Sequence, residues 1–136
     1  MKKLFSVTEA VRQLEDGMTV GIGGWGPRRK PMALVREIIR LRIRDLTIVS
    51  YGGADVGMLC AAGLVKKLIF AFVSLDFIPL EPFFRQVRQN GDLNVMELDE
   101  GMMLLGLRAA AWRIPFIPTA VGLGTDIIKK DPGLNY

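Results

Sequence analysis

The chain contains no histidine, so acid–base chemistry within it falls to carboxylates, lysine, tyrosine or bound water. Ser-His-Asp, Cys-His and histidine-based zinc chemistry are excluded on the same ground, and no metal site is expected. The best-placed carboxylate is Glu100. It follows Asp99, whose side chain suits the N-cap of a helix, so Glu100 falls in the first helical turn after a strand. Turned inward beside Asp99 and the apolar Met102 and Met103, it would have its pKa raised and would serve as a general base; Arg28 or Arg29 nearby would lower it. Turned outward, it is an exposed acid that favours the helix dipole. The residues leave both orientations open.

A second concentration of chemistry is the run Gly21-Ile22-Gly23-Gly24-Trp25-Gly26-Pro27-Arg28-Arg29-Lys30-Pro31. Its glycines suit a sharp turn, or close approach to another backbone or a ligand. Pro31 is favoured at the first position of a helix. Three adjacent cations beside a helix N-terminus favour an anion, and arginine is suited to bidentate recognition of a carboxylate or phosphate. The run lacks the GxxxxGK(S/T) pattern of a phosphate-binding loop. A tight strand-to-helix turn with solvated basic residues fits it equally well.

Further candidates lie at the ends of other expected strands: Tyr51-Gly52-Gly53, Ser74, Asp99-Glu100-Gly101 and Gly122-Leu123-Gly124. So much glycine exceeds what turns alone require and points to a site where backbone comes close to a ligand. Ser74 offers a hydroxyl to a ligand or simply ends a strand. Trp25 stacks on a ring or acyl chain, or covers the sheet edge. The methionines read as core filler.

The net charge of +4 is carried by dispersed cations, several near expected helix C-termini where they complement the dipole. No nucleic-acid motif accompanies them, so nucleic-acid binding is not expected. Cys60 is the only cysteine; it excludes an internal disulfide, suits a reducing cytosol and reads as a buried small hydrophobe. After Met1-Lys2-Lys3, the charged Glu9, Arg12 and Glu15 interrupt the apolar region that a signal peptide needs. The apolar-rich run 68–80 carries Asp76 and is too short to span a bilayer. A cytoplasmic protein without a membrane segment is expected.

Several elements must position these residues. Ser6 and Glu9 form a capping box ahead of a helix over 7–16, with Val7, Ala10, Val11 and Leu14 on one face. A strand over 18–23 leads into the glycine run, and a helix over 31–41 follows with Leu34, Val35, Ile38 and Ile39 turned inward. Strands over 46–51, 67–73, 93–98 and 116–121 alternate with helices over 55–63, over 79–90 and from Asp99 or Glu100 to about 113. Half of the 136 residues are apolar, enough for a single α/β domain over 1–136 with its own core. The alternation predicts a mainly parallel open sheet with helices on both faces. Right-handed crossovers bring every strand C-terminus to one edge, where ligands bind in such sheets.

The glycine run, followed by Arg29-Lys30-Pro31-Met32-Ala33, resembles the N-terminal half of alpha subunits in the family I CoA-transferase superfamily. Asp45-Leu46-Thr47-Ile48-Val49 and the stretch from Ala109-Ala110-Ala111 to Pro115-Phe116-Ile117-Pro118 resemble the same subunits, above all the glutaconate CoA-transferase branch. Within the superfamily, Tyr51-Gly52-Gly53, Phe72-Val73-Ser74-Leu75-Asp76 and Met96 through Met102 look most like the alpha subunits of hydrolases that open the last steroid rings.

That resemblance implies the CoA-transferase fold and a beta subunit as partner, in a heterodimer or heterotetramer. It implies an acyl-CoA substrate, a CoA thioester of a cyclic dione whose carbon–carbon bond is cleaved by adding water. CoA then enters as part of the substrate, with no tightly bound cofactor. Glu100 matches the acid assigned to acid–base work. Gly23, Gly24, Trp25, Gly26, Arg28, Arg29, Lys30, Tyr51, Gly52, Gly53, Ser74 and Asp99 are the candidates for substrate and CoA binding. The alternatives are a transferase that moves CoA between carboxylic acids through a glutamyl thioester on the partner, and an inactive chain that only binds its partner. Subunits of this type continue beyond Pro132-Gly133-Leu134-Asn135-Tyr136. An incomplete sheet is therefore expected, with an open edge and apolar helix faces that are poorly stable alone or bind a partner.

Overall fold

Capping and periodicity set the element boundaries in the computed structural model, which describes residues 4–130. In chain order these are α1 (Val7–Val11), β1 (Thr19–Ile22), α2 (Met32–Leu41), β2 (Leu46–Gly52), α3 (Ala54–Ala61), β3 (Val65–Val73), α4 (Pro82–Asn90), β4 (Asn94–Glu97), α5 (Glu100–Trp112) and α6 (Ile127–Lys130). The capping box forms as expected: Ser6 Oγ accepts from the Glu9 amide at 3.2 Å, and Glu9 Oε2 accepts from the Ser6 amide at 2.8 Å. Arg42 ends α2 in the left-handed region at φ 54°, and Gly91 ends α4 in the same way at φ 78°. The expectations resting on Met1 to Lys3 and on 132–136 lie outside the described residues.

The four strands run parallel in the order β1-β2-β3-β4. Successive strands are neighbours, so right-handed crossovers put α2, α3 and α4 on one face. The core forms there. Val20, Ile48, Leu68 and Val95 make one cross-strand row, with Ile48 and Leu68 fully buried against the layer that contributes Val35, Ile38, Val56, Leu59 and Phe84. Phe70 meets Phe84 edge-on, with ring centroids 5.2 Å apart. The opposite face carries the row Gly21, Val49, Ile69 and Met96. After β4 the chain crosses to that face, and α5 packs against β3. Helices thus cover both faces, but unequally.

Several sequence expectations change. Residues 116–121 form no fifth strand. Pro115 and Pro118 have no amide to give a ladder, and Phe116 is 69% exposed. The segment instead returns to the start of α5, where Val121 lies against Gly101 and Gly122 against Met102. α1 stops at Val11 rather than 16, because the Leu14 amide bonds to the Val11 carbonyl in a tight turn at 2.9 Å. Pro31 sits at the N-cap of α2, not at its first helical position. α4 begins at Pro82 because the Glu81 carboxylate caps it, accepting from the Phe84 amide at 2.7 Å. The expected exposed apolar helix face is present on α5, where Leu104, Leu107 and Trp112 are 50%, 44% and 63% exposed.

Candidate active site

The C-terminal ends of β1 and β2 and the first turns of α5 enclose an open cleft of about 880 Å³. One wall is Gly21 to Trp25 with Arg29, the floor is Val49 to Tyr51, and the far side is Glu100, Gly101, Met103, Leu104 and Leu107. Lateral placement follows from β-sheet geometry. Gly21 pairs with Val49, so both project to the face that α5 covers.

Glu100 is the first residue of α5 and is exposed on the cleft, on the same side of the sheet as Gly24. Asp99 is the N-cap, as expected: its Oδ1 accepts from the Gly101 amide at 2.8 Å. Tyr51 fastens this helix end to the sheet, its hydroxyl donating to the Glu100 carbonyl at 2.9 Å. Burial, and then the negative charges of Glu100 and Asp99, push the Tyr51 phenol above its ordinary range, so it stays a donor. Its ring stacks on Trp25 at 4.7 Å and lies 5.7 Å from Phe72. Trp25 therefore packs on the sheet end while its 42% exposure leaves an edge on the cleft.

The three cations, open in the sequence to an anion site or to a solvated turn, take three different environments. Lys30 turns into the protein, with Nζ 3.0 Å from Asp55 Oδ2 and 2.7 Å from Ser50 Oγ. Its side chain is 1% exposed and that of Asp55 is 0%. Asp55 also accepts from Ser50 Oγ at 2.7 Å and from the Gly53 amide at 2.8 Å, so this buried pair is fully bonded. Arg28 pairs with Asp76 at 2.7 Å on the surface, where such a bridge contributes little. Arg29, held left-handed at φ 58°, is the cation on the cleft, and no ion pair engages it among the described residues.

The glycines divide as well. Gly26 and Gly53 let two turns touch: a Cβ at Gly53 would sit 2.3 Å from the Gly26 carbonyl oxygen. Gly52 makes room for Val56 and Val73. Gly23 and Gly24 line the cleft, and their amides have no hydrogen-bond partner among the described residues. Ser74 accepts from the Asp76 amide at 3.0 Å in a local turn. The cleft thus gathers Glu100, Gly23, Gly24, Trp25, Arg29 and Tyr51, while Gly26, Arg28, Lys30, Gly52, Gly53, Ser74 and Asp99 shape or cap the elements around it.

Sequence reasoning missed the buried acids Asp55 and Glu81, and the apolar wall of Met103, Leu104 and Leu107. One signal was available for the first: Ser50 falls in the inward register of Leu46 and Ile48, and a polar side chain there needs a buried partner. Glu81 had none, since the space it fills is the missing side chain of Gly57 across the layer.

A family model for coenzyme A transferase matches residues 5–135. The chain is 54% identical over 126 residues to the cholesterol ring-cleaving hydrolase IpdA subunit of Rhodococcus jostii, covering 92% of this chain and 43% of that protein. The crystal structure of glutaconate coenzyme A-transferase from Acidaminococcus fermentans matches with a TM-score of 0.89 at 27% identity, over 95% of this chain and 42% of that one. The decarboxylase AibA/AibB matches with a TM-score of 0.85 at 32% identity, over 94% and 50% respectively. The chain therefore spans less than half the length of the hydrolase subunit it resembles.

Proposed function

The chain belongs to the coenzyme A transferase family, and from that premise we propose that it supplies the Glu100 side of a hydrolase active site. Completed by a beta subunit, that site opens the ring of a steroid-derived cyclic dione, held as a CoA thioester, by hydrolysing a carbon–carbon bond. What carries the reading is that Glu100, marked for acid–base work by motif resemblance, lines one cleft with Gly23, Gly24, Arg29 and Tyr51. The 54% identity to a ring-cleaving hydrolase subunit supports the choice of reaction.

In this reading the Glu100 carboxylate takes a proton from water as the water oxygen adds to a ring ketone. The tetrahedral alkoxide collapses, the adjacent ring carbon–carbon bond breaks, and its electron pair goes to the carbon between the two carbonyls as an enolate. Protonated Glu100 then returns its proton to that carbon, so one water is consumed and no electrons are gained or lost. The unpaired amides of Gly23 and Gly24 are the donors for the transient oxyanion. Arg29 holds a substrate carboxylate or a CoA phosphate. Val49, Met103, Leu104 and Leu107 receive the apolar part of the ring.

The test is mass spectrometry of the products formed when this chain is co-expressed with its beta subunit and given a steroid-derived cyclic dione CoA thioester, with and without a free acceptor acid. The proposal expects a product heavier by one water that needs no acceptor. CoA appearing on the acceptor instead makes the chain a transferase subunit, the reading that the likeness to glutaconate coenzyme A-transferase favours. No product in either arm leaves a chain that only binds its partner.

A further inference from the structure

Gly21 and Gly23 stand apart from the other cleft glycines. Gly24 is held at φ +99°, with an added Cβ only 2.7 Å from the Arg28 carbonyl oxygen, and at Gly101 it would meet Val121 at 2.9 Å. Gly24 therefore needs glycine for its backbone, and Gly101 for the Val121 side chain packed on it. At Gly21 and Gly23 no atom lies within 4 Å of an added Cβ, and neither residue has a positive φ. Glycine inside a strand gives up packing and costs backbone entropy, so some other requirement places Gly21 in β1, with Gly23 just past its end. Gly21 sits beside Val49 on the α5 face, across the cleft from the apolar wall on α5. What the two glycines supply is empty width between strand and helix.

Resting on the assignment of this cleft to the acyl part of a thioester, we propose that Gly21 and Gly23 determine the size of acyl group admitted, their missing side chains making room for a ring. A β-branched side chain at Gly21 narrows the slot against the α5 wall. A small acyl group still fits; a ring does not. The effect is opposite in sign to a structural role, because a β-branched residue suits strand geometry better than glycine and lowers the entropy of the unfolded chain.

The experiment is calorimetric titration of the complex of this chain with its beta subunit, using cyclohexanecarbonyl-CoA and acetyl-CoA as probes against wild type, Gly21→Ala and Gly21→Val. Gly21→Val is expected to weaken the cyclohexanecarbonyl thioester at least about tenfold and the acetyl thioester less than about twofold, with Gly21→Ala between wild type and Gly21→Val. Thermal midpoints should not fall; if Gly21→Val melts lower, the Gly21→Ala ratio decides. An equal change for both thioesters, or no change for either, overturns the proposal. Because binding is read rather than turnover, a wild-type complex that opens no ring refutes the proposed reaction and still leaves this size discrimination to be decided.

Discussion

Replacing Lys30 by methionine removes a charge that the fold has buried. Nζ lies 3.0 Å from Asp55 Oδ2 and 2.7 Å from Ser50 Oγ. Methionine keeps most of the side-chain volume, so little of the cost comes from a cavity; the loss is the counter-charge. Asp55 retains its donors from Ser50 Oγ and the Gly53 amide, at 2.7 and 2.8 Å, but its carboxylate is left buried without a cation. Breaking such a pair from one side costs about 3–5 kcal/mol. With a urea slope of about 2 kcal/mol/M, the unfolding midpoint should fall by about 2 M. Removing both charges in Lys30→Met with Asp55→Asn keeps an acceptor for the Gly53 amide and turns an NH2 donor toward Ser50 Oγ, which Lys30 has vacated, so it should recover most of that loss. Equilibrium urea unfolding followed by circular dichroism measures both. A single-variant shift below about 0.5 M, or a double variant as unstable as the sum of the single changes, would mean that Lys30 and Asp55 do not compensate one another in the fold.

Three further outcomes follow from the same geometry. Burial, with added repulsion from Glu81 and Asp55, pushes the Cys60 thiol up to about 12; iodoacetamide at pH 8 should leave native protein unmodified and label it fully in urea, whereas rapid native labelling would contradict the burial. Since this folded pKa lies above the ordinary value of 9.0, the unfolded chain loses the proton first. The thiol's contribution to stability is intact below that value and declines as pH rises from there towards about 12. Tyr51→Phe removes the bond to the Glu100 carbonyl and should lower kcat of the assembled enzyme with little change in KM, at a stability cost of about 1 kcal/mol; a raised KM with unchanged kcat would mean that the hydroxyl serves the substrate instead.

Alternation of strand and helix signals was enough to find four parallel strands and the helices between them, because each strand satisfies its backbone with a neighbour in sequence. The fifth strand failed for the converse reason. Phe116, Ile117 and Val121 have strand character, but a strand exists only where a ladder partner does, and two prolines forbid much of the pairing. The place of Glu100 in the first turn of α5 was legible from the strand before it and the N-cap acid beside it, but the side to which it turns was not. Nor was the burial of Lys30: adjacent arginines suggested a solvated cation, and only the crossover through α2 brings it to Ser50 and Asp55. The glycines look alike as letters. Their separation into turn contacts at Gly26 and Gly53 and open cleft wall at Gly21 and Gly23 depends on what faces each absent side chain, which is set by tertiary packing.

The proposed reaction depends on Glu100 as the acid–base group of the cleft. Its most direct test is the comparison of wild type with Glu100→Gln in the assembled two-subunit complex, measuring ring-opening turnover together with affinity for the thioester. In Glu100→Gln, kcat should fall by about 10²–10⁴-fold while affinity changes only a few-fold. A glutamine variant that turns over like wild type would contradict that role.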